Sequence, residues 1–133
     1  MCRFAIYRGP EIPISRFVLD PPHSIFKQSY EAEEMLSGRM NADGFGIGWY
    51  NPRLDNTPAL YRSTAAIWND HNLPKMINKI SSEVILAHVR GASDGMPVTM
   101  PNTHPFVFRN FIFMHNGAID EFRKLIFPEI VNE

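Results

Sequence analysis

The sequence predicts a layered fold of the α plus β class for a chain of 133 residues. Two apolar runs without alternation, at 84–87 and 111–114, are typical of strands that are covered on both faces. Apolar residues at helical spacing, from Leu73 to Ile80, predict an amphipathic helix between the strands. With 44% hydrophobic and 20% charged residues, the chain suits one domain with a substantial core. Strands from several parts of the sequence, with helices covering them, make a layered architecture.

The first forty residues predict one strand, a loop region and a short helix. Residues 2–7 are rich in β-forming types and stop at a turn signal, residues 8–10. Residues 10–24 hold four prolines and predict an ordered loop or a set of turns. Residues 31–36 predict a short helix, which Gly38 would end.

The stretch 41–50 alternates glycines with apolar and aromatic residues. Gly44, Gly46 and Gly48 predict a strand that another backbone or a ligand approaches closely. The spacing fits neither the dinucleotide fingerprint nor the P-loop, and a nucleotide-binding loop is therefore excluded. Residues 51–58 predict a polar turn, and residues 59–62 predict the returning strand.

The remaining elements follow from periodicity and capping signals. The helix that begins at Leu73 has Asn72 as its predicted cap. Strands are predicted over 83–90 and 110–115. A last helix is predicted with Asp120 as its cap, Pro128 as its end and an inward apolar face, made of Phe122, Leu125 and Ile126.

Charge and cysteine content exclude several functional classes. The net charge is −1, and 13 basic and 14 acidic residues are mixed along the chain, which disfavours binding to nucleic acid or to an anionic membrane. No stretch approaches the roughly 20 apolar residues of a membrane helix, and Arg3 and Arg8 interrupt any signal-peptide core. A single cysteine forbids an internal disulfide and fits a reducing compartment. We therefore expect a cytoplasmic protein.

That single cysteine, Cys2, follows directly after Met1. If Met1 is removed, one residue carries both a thiol and a free α-amine, whose ordinary pKa of about 8 lets it accept the thiol proton. With Met1 attached, the nitrogen of Cys2 is an amide and cannot act as a base. The alternative is an unreactive cysteine that packs as a small apolar residue.

Polar clusters follow the predicted strands at 88–93, 102–106 and 115–117. The planar guanidinium of Arg90 suits a carboxylate held by two hydrogen bonds, and an internal ion pair or a solvated tip is an equal alternative. The side-chain amide of Asn116 and the backbone N–H of Gly117 are two donors of the kind that stabilise a tetrahedral oxyanion. Asn-Gly is also the strongest short hairpin signal, which is the alternative for these two residues.

The histidines predict no metal site. His88, His104 and His115 show no H-x-x-x-H pair and no second cysteine joins them, so hydrogen-bonded structural histidines are favoured. A papain-like pair of Cys2 with His104 or His115 is a further alternative to the α-amine mechanism.

Five motifs in order resemble the class II glutamine amidotransferases, which are N-terminal-nucleophile hydrolases. They are Met-Cys-Arg at 1–3, Asn-Ala-Asp-Gly-Phe-Gly-Ile-Gly-Trp at 41–49, Ala-His-Val-Arg-Gly-Ala-Ser at 87–93, Asn-Thr-His-Pro-Phe at 102–106 and His-Asn-Gly-Ala-Ile at 115–119. The sequence is most similar to the stand-alone branch, which includes γ-glutamyl hydrolases of ergothioneine synthesis and glutathione breakdown.

The resemblance implies a four-layer α-β-β-α sandwich and hydrolysis of glutamine or a γ-glutamyl compound, a small-molecule substrate, without a cofactor. Cys2 would be the nucleophile, its own amine the base, and water would release the γ-glutamyl thioester. The implied roles are as follows: Asn116 and Gly117 form the oxyanion hole, Arg90 and Ser93 hold the α-carboxylate, and His104, Asp43 and Gly44 shape the site.

Two departures from the family pattern leave alternatives open. The family has an acidic segment after His-Asn-Gly that binds the substrate's α-ammonium, and none occurs before Glu133. Relatives also run longer, so residues 1–133 are interpreted as the front part of the domain. The alternatives are a non-catalytic fragment or pseudoenzyme that acts as a binding module, and a glutaminase domain that feeds ammonia to a synthase partner. A homo-oligomer is also compatible with the sequence.

Overall fold

The computed structural model describes residues 2–31, 40–93, 95–117 and 120–131. Besides two 3₁₀ helices, Ile67–Asn69 and Met100–Asn102, this part of the chain contains six strands and five short α-helices. In chain order they are β1 (Arg3–Pro13), α1 (Ser15–Val18), α2 (Ile25–Gln28), β2 (Phe45–Tyr50), β3 (Pro58–Ser63), α3 (Leu73–Ile77), β4 (Ser81–Val89), β5 (Phe106–Phe108), β6 (Phe111–Phe113), α4 (Phe122–Leu125) and α5 (Phe127–Val131). Residues 32–36 of the helix predicted over 31–36 lie outside the described residues.

Four strands form the main sheet in the order β1-β4-β2-β3, and every neighbouring pair is antiparallel. Strand β4 is central, with His88 opposite Phe4 of β1 on one side and Gly46 of β2 on the other. Residues directly opposite in such pairs point to the same face of the sheet. Strands β5 and β6 form a separate antiparallel hairpin.

Helices α1, α2 and α3, with the segments next to them, cover one face of the main sheet and enclose the core. The sheet contributes fully buried side chains such as Phe45, Ile47 and Ile85. The covering segments contribute Ile14, Val18, Ile25, Ile67, Leu73 and Ile77. Burial of this alternate set of strand residues fixes the register, because a shift by one residue would turn the set to the opposite face.

The β5–β6 hairpin lies against the other face, where β2 has its glycines. A Cβ added to Gly46 would overlap the backbone carbonyl of His104, and one added to Gly48 would overlap the side chain of Ile112. The prediction of a strand closely approached by another backbone is therefore confirmed for Gly46. The fold is a mixed α and β structure, as the sequence predicted, and the structure shows that its main sheet is antiparallel.

Strand β1 continues past its predicted end at residues 8–10, and this prediction was wrong. It runs to Pro13, with a register shift between Arg8 and Ile12. Proline removes a ladder donor, and an edge strand such as β1 tolerates this loss. The rest of the predicted loop contains α1. Its last residue, Ser24, caps α2 by accepting from the N–H of Lys27 at 3.3 Å.

Helix α3 forms where periodicity predicted it, but its cap differs. Leu73 and Ile77 are completely buried. The side chain of Asn72 makes no capping hydrogen bond. Instead, Oδ1 of Asp70 accepts from the N–H groups of Asn72 and Leu73, at 3.1 and 2.9 Å. The cap therefore comes from a residue two positions earlier than predicted.

The C-terminal elements correct four further predictions. Phe111 and Phe113 of β6 are 67% and 58% exposed, so this strand is covered on one face only. Helix α4 begins after Glu121, not after an Asp120 cap, and ends at Leu125. The predicted inward residues are exposed, namely Phe122, Leu125 and Ile126. Pro128 does not end this helix but lies in the first turn of α5, where its missing N–H is not needed.

Within the described ranges, no helix combines the length and the apolar character needed to cross a membrane.

Candidate active site

Cys2 lies at the start of β1, beside the end of β4. Arg3 pairs with Val89, so the residues just outside the ladder, Cys2 on one strand and Arg90 on the other, are neighbours. The thiol of Cys2 donates a hydrogen bond to the carbonyl oxygen of Gly91, with a Sγ–O distance of 3.5 Å. The thiol is partly exposed. A thiol in this position is held in one direction but stays reachable.

Asn116 meets Cys2 from the end of the hairpin strand. Its side-chain Nδ2 donates to the backbone carbonyl of Cys2 at 2.8 Å. A side-chain amide carries two N–H donors, so this bond leaves a second donor beside the cysteine. Gly117 follows with φ of +149°, in the region that favours glycine. The two residues thus turn the chain next to the thiol.

Arg90 follows β4 and is 5% exposed. Its Nη1 donates to the carbonyl of Asp43 at 3.4 Å, and its Nη2 donates to the carbonyl of Pro97 at 3.1 Å. The side chain of Arg90 is therefore not a solvated tip. Its guanidinium is also not wholly free to bind a carboxylate, because two N–H groups already donate to backbone carbonyls. It has five N–H donors in all, which leaves donors for a ligand.

The Asp43–Gly44 segment runs alongside the residues that follow β4. The N–H of Asp43 donates to the carbonyl of Arg90 at 3.0 Å, and the N–H of Arg90 donates to the carbonyl of Gly44 at 2.8 Å. Oδ2 of Asp43 accepts from the N–H of Ala92 at 2.8 Å. Gly44 has φ of +118°, and a Cβ there would lie 2.9 Å from the carbonyl oxygen of Ser63. Glycine is thus required at this point for conformation and for space.

Three histidine rings pack against one another, tilted in one pair and edge-to-face in the other. The ring centroids of His88 and His104 are 4.4 Å apart, and those of His104 and His115 are 4.5 Å apart. Burial, with a smaller effect of His104, lowers the pKa of His88 to about 3. Burial, followed by the charges of His115, Arg90 and Arg62, lowers the pKa of His104 to about 4. Both buried rings are therefore neutral near pH 7.

His104 does not pair with Cys2 as the papain-like alternative required. Its two ring nitrogens are buried and have no hydrogen-bond partner among the residues that the structure describes. Its ring instead contacts the rings on either side, and it connects to the site through His115, which precedes Asn116. Across the described ranges, no group of three or more His, Cys, Asp or Glu side chains is arranged to hold a metal ion.

The structure connects most of the residues singled out from the sequence. Direct hydrogen bonds join Asn116 to Cys2 and join Arg90 to Asp43 and Gly44. Ser93 is exposed on the segment after β4. Met1 lies outside the described residues, so the state of the chain terminus stays a prediction.

Sequence reasoning missed one group, the backbone carbonyl of Gly91. This carbonyl accepts a hydrogen bond from the thiol, and no side chain signals a backbone acceptor. Gly91 belongs to the motif 87–93, in which only the side chains of Arg90 and Ser93 were given roles.

Comparison with known proteins shows the family to which the chain belongs. The profile of the family "Glutamine amidotransferases class-II" matches residues 26–130. The chain is 36% identical over 131 residues to the probable glutamine amidotransferase DUG3 of Saccharomyces cerevisiae, covering 94% of this chain and 36% of that protein. It is 37% identical over 120 residues to the gamma-glutamyl-hercynylcysteine sulfoxide hydrolase of Mycobacterium tuberculosis, covering 90% of this chain and 50% of that protein.

A solved structure shows the same fold. The glutamine aminotransferase class-II domain protein from Silicibacter pomeroyi aligns with a TM-score of 0.56 and 28% identity, over 92% of this chain and 39% of that one. The chain thus spans half or less of the length of these relatives. The family profile and the identities together show that the chain belongs to the class II glutamine amidotransferases.

Proposed function

We propose that the protein hydrolyses the γ-amide of glutamine or of a γ-glutamyl compound through a thioester on Cys2. The contact that carries this proposal is the 2.8 Å hydrogen bond from the Asn116 amide to the carbonyl of Cys2. It brings the candidate nucleophile and a candidate oxyanion donor to one place from opposite ends of the described chain.

The first step needs Cys2 as the N-terminal residue. Its free α-amine accepts the thiol proton, and the sulfur attacks the γ-carbonyl carbon of the substrate. The carbonyl oxygen becomes an oxyanion beside Asn116 and Gly117. The second N–H of the Asn116 amide and the backbone N–H of Gly117 then stabilise it, an effect worth roughly 2.7–4 kcal/mol for one such donor.

Collapse of this tetrahedral intermediate breaks the C–N bond. The protonated α-amine returns its proton to the leaving nitrogen, which departs as ammonia or an amine. The same amine then activates water, which attacks the thioester carbonyl and releases glutamate and the free thiol. No redox step and no cofactor enters this sequence.

Substrate binding would use Arg90. Two of its five N–H donors point to backbone carbonyls of Asp43 and Pro97, which holds the guanidinium in a fixed direction. The remaining donors suit the α-carboxylate of a γ-glutamyl group. Ser93, exposed after β4, would supply a further donor. The names of two relatives, a glutamine amidotransferase and a γ-glutamyl hydrolase, support this substrate class.

The proposal extends to fold and compartment. In a four-layer α-β-β-α sandwich, the β5–β6 hairpin would be part of the second sheet, facing the main sheet across β2. A reactive thiol also favours a reducing compartment, and we place the reaction in the cytoplasm on that ground.

Removal of the thiol tests the mechanism. In protein whose N-terminal Cys2 is confirmed by intact mass, we expect glutamate release from glutamine and from γ-glutamyl-p-nitroanilide. Cys2→Ala abolishes this release, and protein that retains Met1 is inactive because its nitrogen is an amide. Undiminished turnover by Cys2→Ser would reject the proposal. Failure of fully processed protein to release any glutamate would favour a non-catalytic binding module.

The same assay tests the oxyanion donor. Asn116→Ala lowers kcat by about 10²–10³-fold, as removal of one donor does in other acyl-transfer enzymes. The matched control is Asn110→Ala, since Asn110 is exposed in the turn between β5 and β6 and its kcat should equal that of the unaltered protein. Equal kcat values for the two variants would contradict the role given to Asn116.

A further inference from the structure

We propose that Asp43 is a positioning residue whose carboxylate orients the Cys2 thiol through the peptide group between Gly91 and Ala92. This inference deepens the proposed function, and its kinetic consequences rest on it. The observation behind it is a chain of two hydrogen bonds that meet on one peptide group.

The carbonyl of Gly91 and the N–H of Ala92 belong to the same peptide group, whose atoms lie in one plane. Its N–H donates to Oδ2 of Asp43 at 2.8 Å. Its carbonyl accepts from the Cys2 thiol, with a Sγ–O distance of 3.5 Å. In a trans peptide group the C=O and N–H bonds lie in the plane and point in opposite directions, so the carboxylate lies beyond one edge of the peptide group and the thiol beyond the opposite edge.

The backbone of Asp43 is itself held in place. Its N–H donates to the carbonyl of Arg90 at 3.0 Å, and its carbonyl accepts from Nη1 of Arg90 at 3.4 Å. The positive φ of Gly44, the next residue, fixes the direction in which this segment enters β2. The carboxylate thus projects from an anchored position.

A carboxylate does two things that a neutral acceptor does less well. A hydrogen bond to an ionised acceptor is roughly twice as strong as a neutral one, so the peptide plane is held more firmly. Hydrogen bonds in series also polarise one another, so the Gly91 carbonyl becomes a better acceptor for the thiol. Gly91 has no side chain to restrain the plane by packing, which makes the carboxylate the main restraint on its rotation.

Loss of the carboxylate should therefore release the peptide plane and leave the thiol without its fixed acceptor. A thiol that samples several directions attacks the substrate less often, while substrate binding is unaffected. The effect should appear in kcat and not in KM. A thiol no longer held to a carbonyl should also react faster with a small alkylating reagent.

The experiment compares Asp43→Ala, Asp43→Asn and the control Asp55→Asn. Asp55 also accepts a backbone N–H through its carboxylate, from Thr57 at 2.7 Å, but in the turn after β2. We measure kcat and KM for γ-glutamyl-p-nitroanilide, the rate of Cys2 alkylation by iodoacetamide, and the melting temperature. Cys2 is the only cysteine among the 133 residues, so the adduct mass reports on it alone.

We expect kcat of Asp43→Ala to fall by roughly 10–100-fold, as for a reacting group misplaced by a fraction of an ångström, with KM changed less than about twofold. Asp43→Asn, which keeps a neutral acceptor, should fall between Asp43→Ala and the unaltered protein. The rate of Cys2 alkylation should be highest in Asp43→Ala, intermediate in Asp43→Asn and lowest in the unaltered protein. Asp55→Asn should match the unaltered protein in both kcat and alkylation rate.

The inference is overturned if both Asp43 variants alkylate at the unaltered rate, or if kcat per alkylatable thiol is unchanged while only the melting temperature falls. Should Asp43→Ala fail to fold, the milder Asp43→Asn decides by the same two measurements. Absence of glutamate release from the unaltered protein would refute the proposed function. The alkylation rates would then still decide whether Asp43 orients the thiol.

Discussion

The two buried histidines, His88 and His104, make the folded protein sensitive to acid. Their rings lie 4.4 Å apart, and both are almost completely buried. The folded protein lowers the pKa of His88 from 6.5 to about 3 and that of His104 from 6.5 to about 4. Between the folded pKa values and the ordinary value of 6.5, the unfolded chain binds more protons than the folded one. The free energy of unfolding therefore rises with pH in this window.

We expect the melting temperature to be constant near neutral pH and to fall as the pH drops from about 6.5 towards 4. His104→Phe should flatten this dependence, because phenylalanine keeps an aromatic ring against His88 and His115 but binds no proton. The measurement is thermal unfolding followed by circular dichroism between pH 4 and 8 in steps. The control is His71→Phe, at an exposed histidine, which should retain the full dependence. If the melting temperature of both variants fell equally steeply with decreasing pH, His104 would not be a source of the acid sensitivity.

Strand β2 can accept the hairpin only because it has glycines where the hairpin lies closest. The space above Gly46 is taken by the backbone carbonyl of His104, and the space above Gly48 by the end of the Ile112 side chain. A side chain can rotate away, whereas a backbone carbonyl moves only with its whole segment. The two glycines should therefore differ in the cost of replacement.

We expect Gly46→Ala to destabilise the protein by more than Gly48→Ala, both within the roughly 1–3 kcal/mol range of overpacking. Ile112→Val removes the Cδ1 atom that the new Cβ of Gly48→Ala would overlap, so it should recover part of that loss but none of the loss in Gly46→Ala. Urea unfolding of the single and double variants gives the coupling energies. This packing would be refuted if Ile112→Val showed a coupling energy with Gly46→Ala and none with Gly48→Ala.

The sequence predicted the elements that local residue patterns determine. It did not predict the end of a strand that depends on the strand's position in the sheet. The glycine pattern of β2 and the periodicity of α3 were sufficient, because both report packing directly. Pro10 suggested the end of a strand, yet β1 lies at the edge of the sheet, where a missing N–H costs little. The sequence of a single strand carries no record of which strand will be its neighbour.

The site shows the same division. Cys2, Arg90 and Asn116 could be proposed from the sequence because each carries distinctive side-chain chemistry. The Gly91 carbonyl was not, because every residue has one and only the fold selects which of them meets the thiol. The apolar stripe of α4 was read as a buried face, but Leu125 is 55% exposed. Periodicity shows which residues share a face and not whether anything covers it.

The molecule as a whole exposes more large apolar side chains than a small globular protein usually does. Phe4 and Ile6 of β1 are 47% and 58% exposed, and Phe111 and Phe113 of the hairpin are exposed to a similar degree. Helices α4 and α5 pack against each other, with the rings of Phe122 and Phe127 6.5 Å apart. Exposed apolar side chains of this size favour association when they lie together on the surface.

We expect the 133-residue chain to self-associate as its concentration rises. The double variant Phe111→Ser, Phe113→Ser should weaken this association, since both side chains project from the outer face of the hairpin. Sedimentation velocity over a hundredfold concentration range measures it. Leu54→Ser is the control, because Leu54 is 82% exposed but lies in the turn after β2, away from the hairpin. Association unchanged by the hairpin variant would assign the contact to another surface.

The hydrogen bond between Asn116 and Cys2 joins positions that are 114 apart in the chain. During synthesis, the thiol therefore leaves the ribosome long before its amide partner has been made. In the proposed mechanism, the elongating chain therefore carries its nucleophile before the donor that would stabilise a negative charge beside it. The proposed site is complete only when folding brings Asn116 to Cys2.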